Sequence, residues 1–274
     1  MSFYQFSHFQ NNKWPATRDA LHSYAKVLGI IRAQLVPKQK HWWHVSLLPV
    51  SNGFSTGPIY QKGEIFEIIL DLANSRVIVQ WHDLLESVPL SGQSASTLFV
   101  EISGLLFVRK IEVSGNPEKI TDQAHPDFDV DNAVNLAKAL GAIGAVFQQF
   151  KNEQRRETSP VQLWPHHFDL AVLWFSGRLV PEQDPDDEEN ADEQMNFGFS
   201  VGDQQTPEPY FYFTAYPTPE NFNRISLPSG AQWNEDGWQG VYLSYSILCQ
   251  QKEPAESLLE IMREVVKSGA KLMQ

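Results

Sequence analysis

Two stretches of the chain, Ala25 to Leu35 (AKVLGIIRAQL) and Ala137 to Phe147 (AKALGAIGAVF), are identical at six of eleven positions, and each leads within a few dozen residues into an expected histidine-led strand. A repeat spaced by more than 100 residues is too long for a solenoid unit or a propeller blade. The spacing predicts two copies of one α+β unit, residues 14–113 and residues 128–271 in approximate bounds, packed as a pseudo-symmetric pair into a single compact domain.

Within the first copy, Leu21, Tyr24, Ala25, Leu28, Ile31 and Leu35 recur at helical spacing, which predicts an amphipathic helix from Thr17 to Val36 ended by Pro37. The runs HWWHVSLLPV, EIFEIILDL and RVIVQWHDL follow, broken by Gly, Pro and Asn in the manner of an antiparallel meander, and a second helix is expected from Ser94 to Val108. The second copy repeats this order. Asp129 or Asp131 caps a helix reaching Arg156; VQLWPHHFDLAVLWF, MNFGFSVG, PYFYFTAY and GVYLSYSI read as strands; a last helix covers Pro254 to Lys271. Short turns between strands require antiparallel pairing, so the fold class is α+β, with helices covering one face of each sheet. Ser114 to Asp127 reads as the connection between the copies, and Val180 to Gln194 as a solvated acidic loop between strands.

A net charge of -12 without a compensating basic patch argues against nucleic acid or an anionic membrane as the partner. Cys249 is the only cysteine, so no intramolecular disulfide is expected, and its place in an apolar strand (YSILCQQ) suits an inert core thiol. The start, MSFYQFSHFQNNKW, has no charged leader followed by an apolar run, and the expected location is the cytoplasm.

Laying the string that starts at His44 over the one that starts at His167 aligns the two histidines. On strands, Trp42, His44 and Ser46 share one face, as do His167, Asp169 and Ala171. Packing about a pseudo-two-fold axis with these strands near it brings His44, His167 and Asp169 into a two-histidine, one-carboxylate set that suits a divalent metal as cofactor. The competing reading is that each histidine bonds a neighbour on its own half-buried strand. His41 and His44, three apart on a strand, point to opposite faces and do not chelate together. The aromatics Trp42, Trp43, Trp164, Trp174, Tyr210, Phe211, Tyr212, Phe213, Tyr216, Trp233 and Trp238 suit either the lining of a small-molecule pocket or plain core filling. No G-x-S-x-G elbow, phosphate loop or dinucleotide fingerprint is present.

The strings LHSYAKVLGIIRAQLVPKQKHWWHVSLLPVSNGFSTGPI, SPVQLWPHHFDLAVLWFSGR and PYFYFTAYPTPENF resemble those of an uncharacterised bacterial domain family, and the resemblance spans nearly the whole chain. It implies no activity or cofactor. It directs attention to His41, Trp42, Trp43, His44, Phe168, Asp169, Phe175, Ser176, Gly177, Arg178, Tyr216 and Pro217. Arg178 is the candidate anchor for an anion or carboxylate, because its fork binds such groups bidentately; the other reading is a surface ion pair with the acidic loop. The function expected is small-molecule binding at a site containing His, Asp, Arg and aromatic side chains, with catalysis left open. The alternatives are a protein–protein interaction or structural module that uses an aromatic strand face, homodimerisation included, and a divalent-metal-dependent enzyme.

Overall fold

The computed structural model describes residues 6–9, 11–114, 124–187, 190–204 and 206–273. Most of the expected connection Ser114 to Asp127, and residues 188–189 of the acidic stretch, lie outside the described residues. The chain is built of helices and antiparallel strands, the α+β class that the hydrophobic periodicities predict. Among the described residues, no helix is long and apolar enough to cross a membrane.

Contacts divide the described chain into two units, the first within residues 7–141 and 163–168, the second comprising Phe6, 142–162 and 169–273. One boundary between the units lies at residue 141. It falls inside helix α3 (Val130–Glu153), after Gly141. The Asp129 carboxylate starts the helix, accepting the Asn132 N–H at 2.9 Å, which is the N-cap bond expected of one of the two candidate aspartates.

In the first unit, helix α1 (Trp14–Leu35) has Pro15 in its first turn and stops where Val36 turns extended ahead of Pro37. Its stripe from Leu21 to Leu35 is buried as the spacing predicts. It packs on helix α2 (Ala95–Phe107), whose N-cap Ser94 Oγ accepts the Thr97 N–H at 3.3 Å. Beside them lies an antiparallel sheet of β1 (Leu48–Val50), β2 (Gly53–Ser55), β4 (Glu64–Asp71), β5 (Arg76–Trp81) and β6 (Leu85–Pro89) in that order, with β3 (Ile59–Gln61) also paired to β4. Asp71 is fully buried at the β4–β5 turn, where its carboxylate accepts from the Asn74 N–H at 3.1 Å and from Arg76 Nε at 3.0 Å.

The second unit holds β8 (Asp169–Leu179), β9 (Asp192–Ser200), β10 (Tyr210–Tyr216), β11 (Ala231–Asn234) and β12 (Gly240–Ser244), in the order β11-β12-β10-β9-β8. The chain passes back through the first unit from Leu163 to Phe168, which takes in the end of β7 (Gln162–Trp164) and the turn after it. Alternation decides which face is which. Phe211 and Phe213 on β10, with Phe197 and Phe199 on β9, are fully buried and meet α3 through Phe150 (4.6 Å to Phe197) and Phe147 (6.4 Å to Phe211). Tyr210, Tyr212 and Thr214 point to the other face and are half-buried. The run YSILC, read as the end of a strand, is a short helix α4 (Tyr245–Cys249) begun by Ser244, whose Oγ accepts the Ile247 N–H. Burial raises the Cys249 thiol above its ordinary value, as an unreactive thiol requires. Helix α5 (Pro254–Leu272) buries Leu258, Leu259, Met262, Val265 and Val266 and approaches β9 closely at Gly269, where an added Cβ would lie 2.5 Å from Met195 Sδ.

The strand orders of the two sheets differ: the first follows the chain apart from β3, and the second exchanges β11 and β12.

Candidate functional site

Helix α1 supports the two histidine motifs of the first unit from one side. His22, Gly29 and Arg32 lie seven and three residues apart on it, spacings that keep them on one broad face. Gly29 is where the motifs come closest to the helix backbone: a Cβ there would lie 2.9 Å from Pro165 Cγ and 3.5 Å from the Val45 carbonyl oxygen. The segments are also paired through Leu47 and Leu163, whose N–H groups donate to each other's carbonyls at 2.9 and 2.8 Å.

The HWWH segment is a 3-10 turn (Lys40–Val45), not the strand its aromatic and β-branched content predicts. His41 (φ 52°) and Trp42 (φ 59°) are consecutive left-handed residues, a conformation that costs roughly 1–2 kcal/mol per non-glycine residue. Long-range bonds hold it. Arg32 Nη1 donates to the Trp43 carbonyl at 3.0 Å and to Ser46 Oγ at 3.3 Å, and Ser46 Oγ donates to the same carbonyl at 3.0 Å. His44 is buried, and its Nδ1 accepts the Gln39 N–H at 3.3 Å. The Trp42 ring stacks on His44 (5.6 Å) and remains 47% exposed. Lys38 Nζ lies 5.4 Å from the Trp42 ring and Lys40 Nζ 5.3 Å from the Trp43 ring, within cation–π range.

The second motif is likewise a turn. Phe168 is left-handed (φ 57°), and its N–H donates to the Trp164 carbonyl at 2.8 Å. His22 Nε2 lies 2.9 Å from the His166 carbonyl oxygen; a carbonyl only accepts, so His22 carries its proton on Nε2. Its ring stacks on Phe168 at 5.7 Å. Burial, with the Lys26 ammonium next in importance, holds the His22 imidazole down to about 4.

A pH dependence follows. The unfolded chain takes up this proton near pH 6.5, and the fold resists it until about 4. The unfolded state therefore binds more protons between those values, and stability falls as pH drops through that window. His22→Gln, which keeps an N–H for the His166 carbonyl, is expected to lose less melting temperature than the wild type between pH 7 and pH 4.5. Equal losses would exclude His22 as a source of the slope.

These turns correct the metal reading. His44 and His167 do not lie on strands, so the strand phase that aimed them together does not apply. Trp43 is tied to Arg32, three residues past Gly29, whereas His166 is tied to His22, seven residues before it, so the motifs diverge from Gly29 along the helix. His44 is buried, and His167 is exposed beside the His166 ring at 4.2 Å. Among the described residues, no three His, Cys, Asp or Glu side chains are grouped to hold a metal ion.

The remaining predicted residues belong to the second unit. Asp169 opens β8, is 6% exposed, and accepts a hydrogen bond from the Tyr212 hydroxyl. Register explains the meeting: Ala171 pairs with Gly198, and Gly198 pairs with Tyr212, so the tyrosine ring crosses the central strand over a residue with no side chain. Burial first, then the Asp169 charge, raises the Tyr212 phenol well above its ordinary value, keeping it a donor. Tyr210 stands beside it, with Tyr242 at 5.3 Å and Trp238 at 6.2 Å. Tyr216 ends β10, partly exposed, before a cis Pro217.

Arg178 is exposed, and its fork is occupied by Glu193: Nε donates at 3.1 Å and Nη2 at 2.8 and 2.9 Å. It is a surface ion pair rather than an anchor for a ligand. Exposed pairs contribute about 0–1 kcal/mol, so Arg178→Ala is expected to shift denaturant stability by no more than that.

Sequence reading passed over Arg32, His22 and Gly198. A glycine inside a strand marks close approach, and the lack of any Asp or Glu between Asp19 and Glu64 was a visible signal for Arg32. No curated protein and no solved structure matches the chain. The model of a protein family, described as "Family of unknown function (DUF5996)", matches residues 6–274, and the chain belongs to that family.

Proposed function

We propose that the protein binds a small molecule at the HWWH turn on α1. One observation carries this reading: two adjacent non-glycine residues, His41 and Trp42, are held left-handed, and the result is a large indole kept 47% exposed above a buried histidine. Such backbone is retained where surrounding structure enforces it, and it concentrates at ligand sites. A tryptophan flanked by His41, His44 and Lys38 offers an apolar surface with polar groups at its edge, the usual makeup of a small-molecule site. The test is a thermal-shift screen of metabolites on the wild type and on Trp42→Ala. A compound that stabilises the first and not the second supports the reading. Ligands that stabilise both alike place binding elsewhere.

A second reading, an interaction module, draws on a different surface. On α2 and at the residue that ends it, Val100 (66% exposed), Phe107 (65%) and Val108 (73%) leave large apolar side chains in solvent, the composition of a contact patch. Light scattering of the wild type and of Phe107→Glu tests it: a dimer that the substitution dissociates favours this reading, and a monomer in both removes self-association from it.

A further inference from the structure

Between Asp19 and Glu64 the chain has no acidic residue, although it carries 33 in all, and this stretch contains Lys26, Arg32, Lys38, Lys40 and Lys62. It includes most of α1 and the whole HWWH turn. At its centre Arg32 is only 6% exposed. Its Nη1 is spent on the Trp43 carbonyl and Ser46 Oγ. Its Nε is buried with no hydrogen-bond partner among the described residues, and the guanidinium makes no ion pair among them.

The unused side of Arg32 is the carboxylate-binding one. Two other arginines of this protein show how that edge is normally filled. Arg178 directs Nε and Nη2 at Glu193 (3.1 and 2.8 Å), and Arg263 directs the same pair at Glu153 (2.8 and 2.6 Å). Arg32 holds the same edge in a fixed orientation, because Nη1 pins it, with Nε out of solvent. A second buried donor belongs to the residue it pins: Trp43 Nε1 also has no partner among the described residues. Burial alone brings the Arg32 guanidinium down to about 10, with no carboxylate to offset it. A buried cation without an anion is costly, and supplying the anion removes that cost.

We propose that Arg32, with the HWWH turn that it holds in place, binds the carboxylate or phosphate group of a small organic ligand. The oxyanion accepts from Arg32 Nε and Nη2, and Trp42 and His41 flank the organic part. This inference rests on the reading of the turn as a ligand site and gives that ligand its chemical class. A bidentate oxyanion on a guanidinium is the strong form of such a contact, and an ammonium does not reproduce it.

The experiment compares thermal stabilisation of the wild type, Arg32→Lys and Arg32→Met by inorganic phosphate and by succinate, each against sodium chloride at matched ionic strength. The wild type is expected to gain a saturable rise in melting temperature from at least one probe. Arg32→Met is expected to lose it, and Arg32→Lys to require about tenfold more probe, the equivalent of one charge-assisted hydrogen bond. A response to phosphate alone assigns a phosphate ligand, to succinate alone a carboxylate, and to both the shared oxyanion chemistry. No saturable rise in the wild type with either probe overturns the proposal whether or not the variants fold, and so does an equal rise in wild type and Arg32→Lys. An uncharged ligand whose binding is lost in Trp42→Ala but kept in Arg32→Lys overturns the oxyanion assignment and leaves the turn as a ligand site. A ligand unaffected by either substitution overturns both.

Discussion

Gly198→Val is expected to destabilise the second unit by about 3–5 kcal/mol, the sum of overpacking in a filled site and a lost hydrogen bond to a buried charge. An added Cβ at Gly198 would overlap the Tyr212 ring, which has no room to move aside without leaving Asp169. Folded domains have about 5–15 kcal/mol in total, so this single change removes a large share. Tyr212→Phe separates the two contributions: it keeps the ring and deletes the hydroxyl, and about 1.5–3 kcal/mol is expected from it alone. Urea denaturation of the three proteins checks both values. If Gly198→Val costs no more than Tyr212→Phe, the ring's passage over β9 is not as tight as the geometry indicates.

Gly29→Val is the second large effect, about 2–3 kcal/mol, and its sign opposes local propensity. In the middle of a helix, replacing glycine normally stabilises. Here the new side chain enters space already taken by the Pro165 ring, 2.9 Å from where Cβ would sit, and faces the Val45 carbonyl at 3.5 Å. A proline ring cannot rotate away, so both motif turns have to lift from α1. The melting temperature and tryptophan fluorescence should therefore change together. A stabilised Gly29→Val with unchanged fluorescence would show that the turns do not rest on the helix at this point.

Much of the fold was legible because it follows local periodicity. The stripe of α1, the Asp129 cap, the paired runs Glu64–Asp71 and Arg76–Trp81 and the last helix all follow from side-chain spacing and terminus chemistry. The candidate site was legible as a string and misread as a shape. Bulky residues such as HWWH satisfy strand propensity, and no glycine or asparagine announces the left-handed pair at His41 and Trp42. What decides the turn is Arg32, which bonds the Trp43 carbonyl from eleven residues earlier in the chain. The same reason hid the partner of Asp169. Tyr212 lies 43 residues away in sequence, and only the register of three strands, with Gly198 in the middle, brings the two together. Propensity acts over a few residues, and both features are set by contacts far outside that range.

The indole N–H signals of Trp42 and Trp43, assigned through Trp42→Phe and Trp43→Phe and followed by nuclear magnetic resonance during titration with phosphate and with succinate, test the account most directly. Binding at the HWWH turn predicts that these two signals move saturably, over the same concentration range that raises the melting temperature, while the remaining indoles stay in place. Stabilisation with both signals unmoved would contradict it.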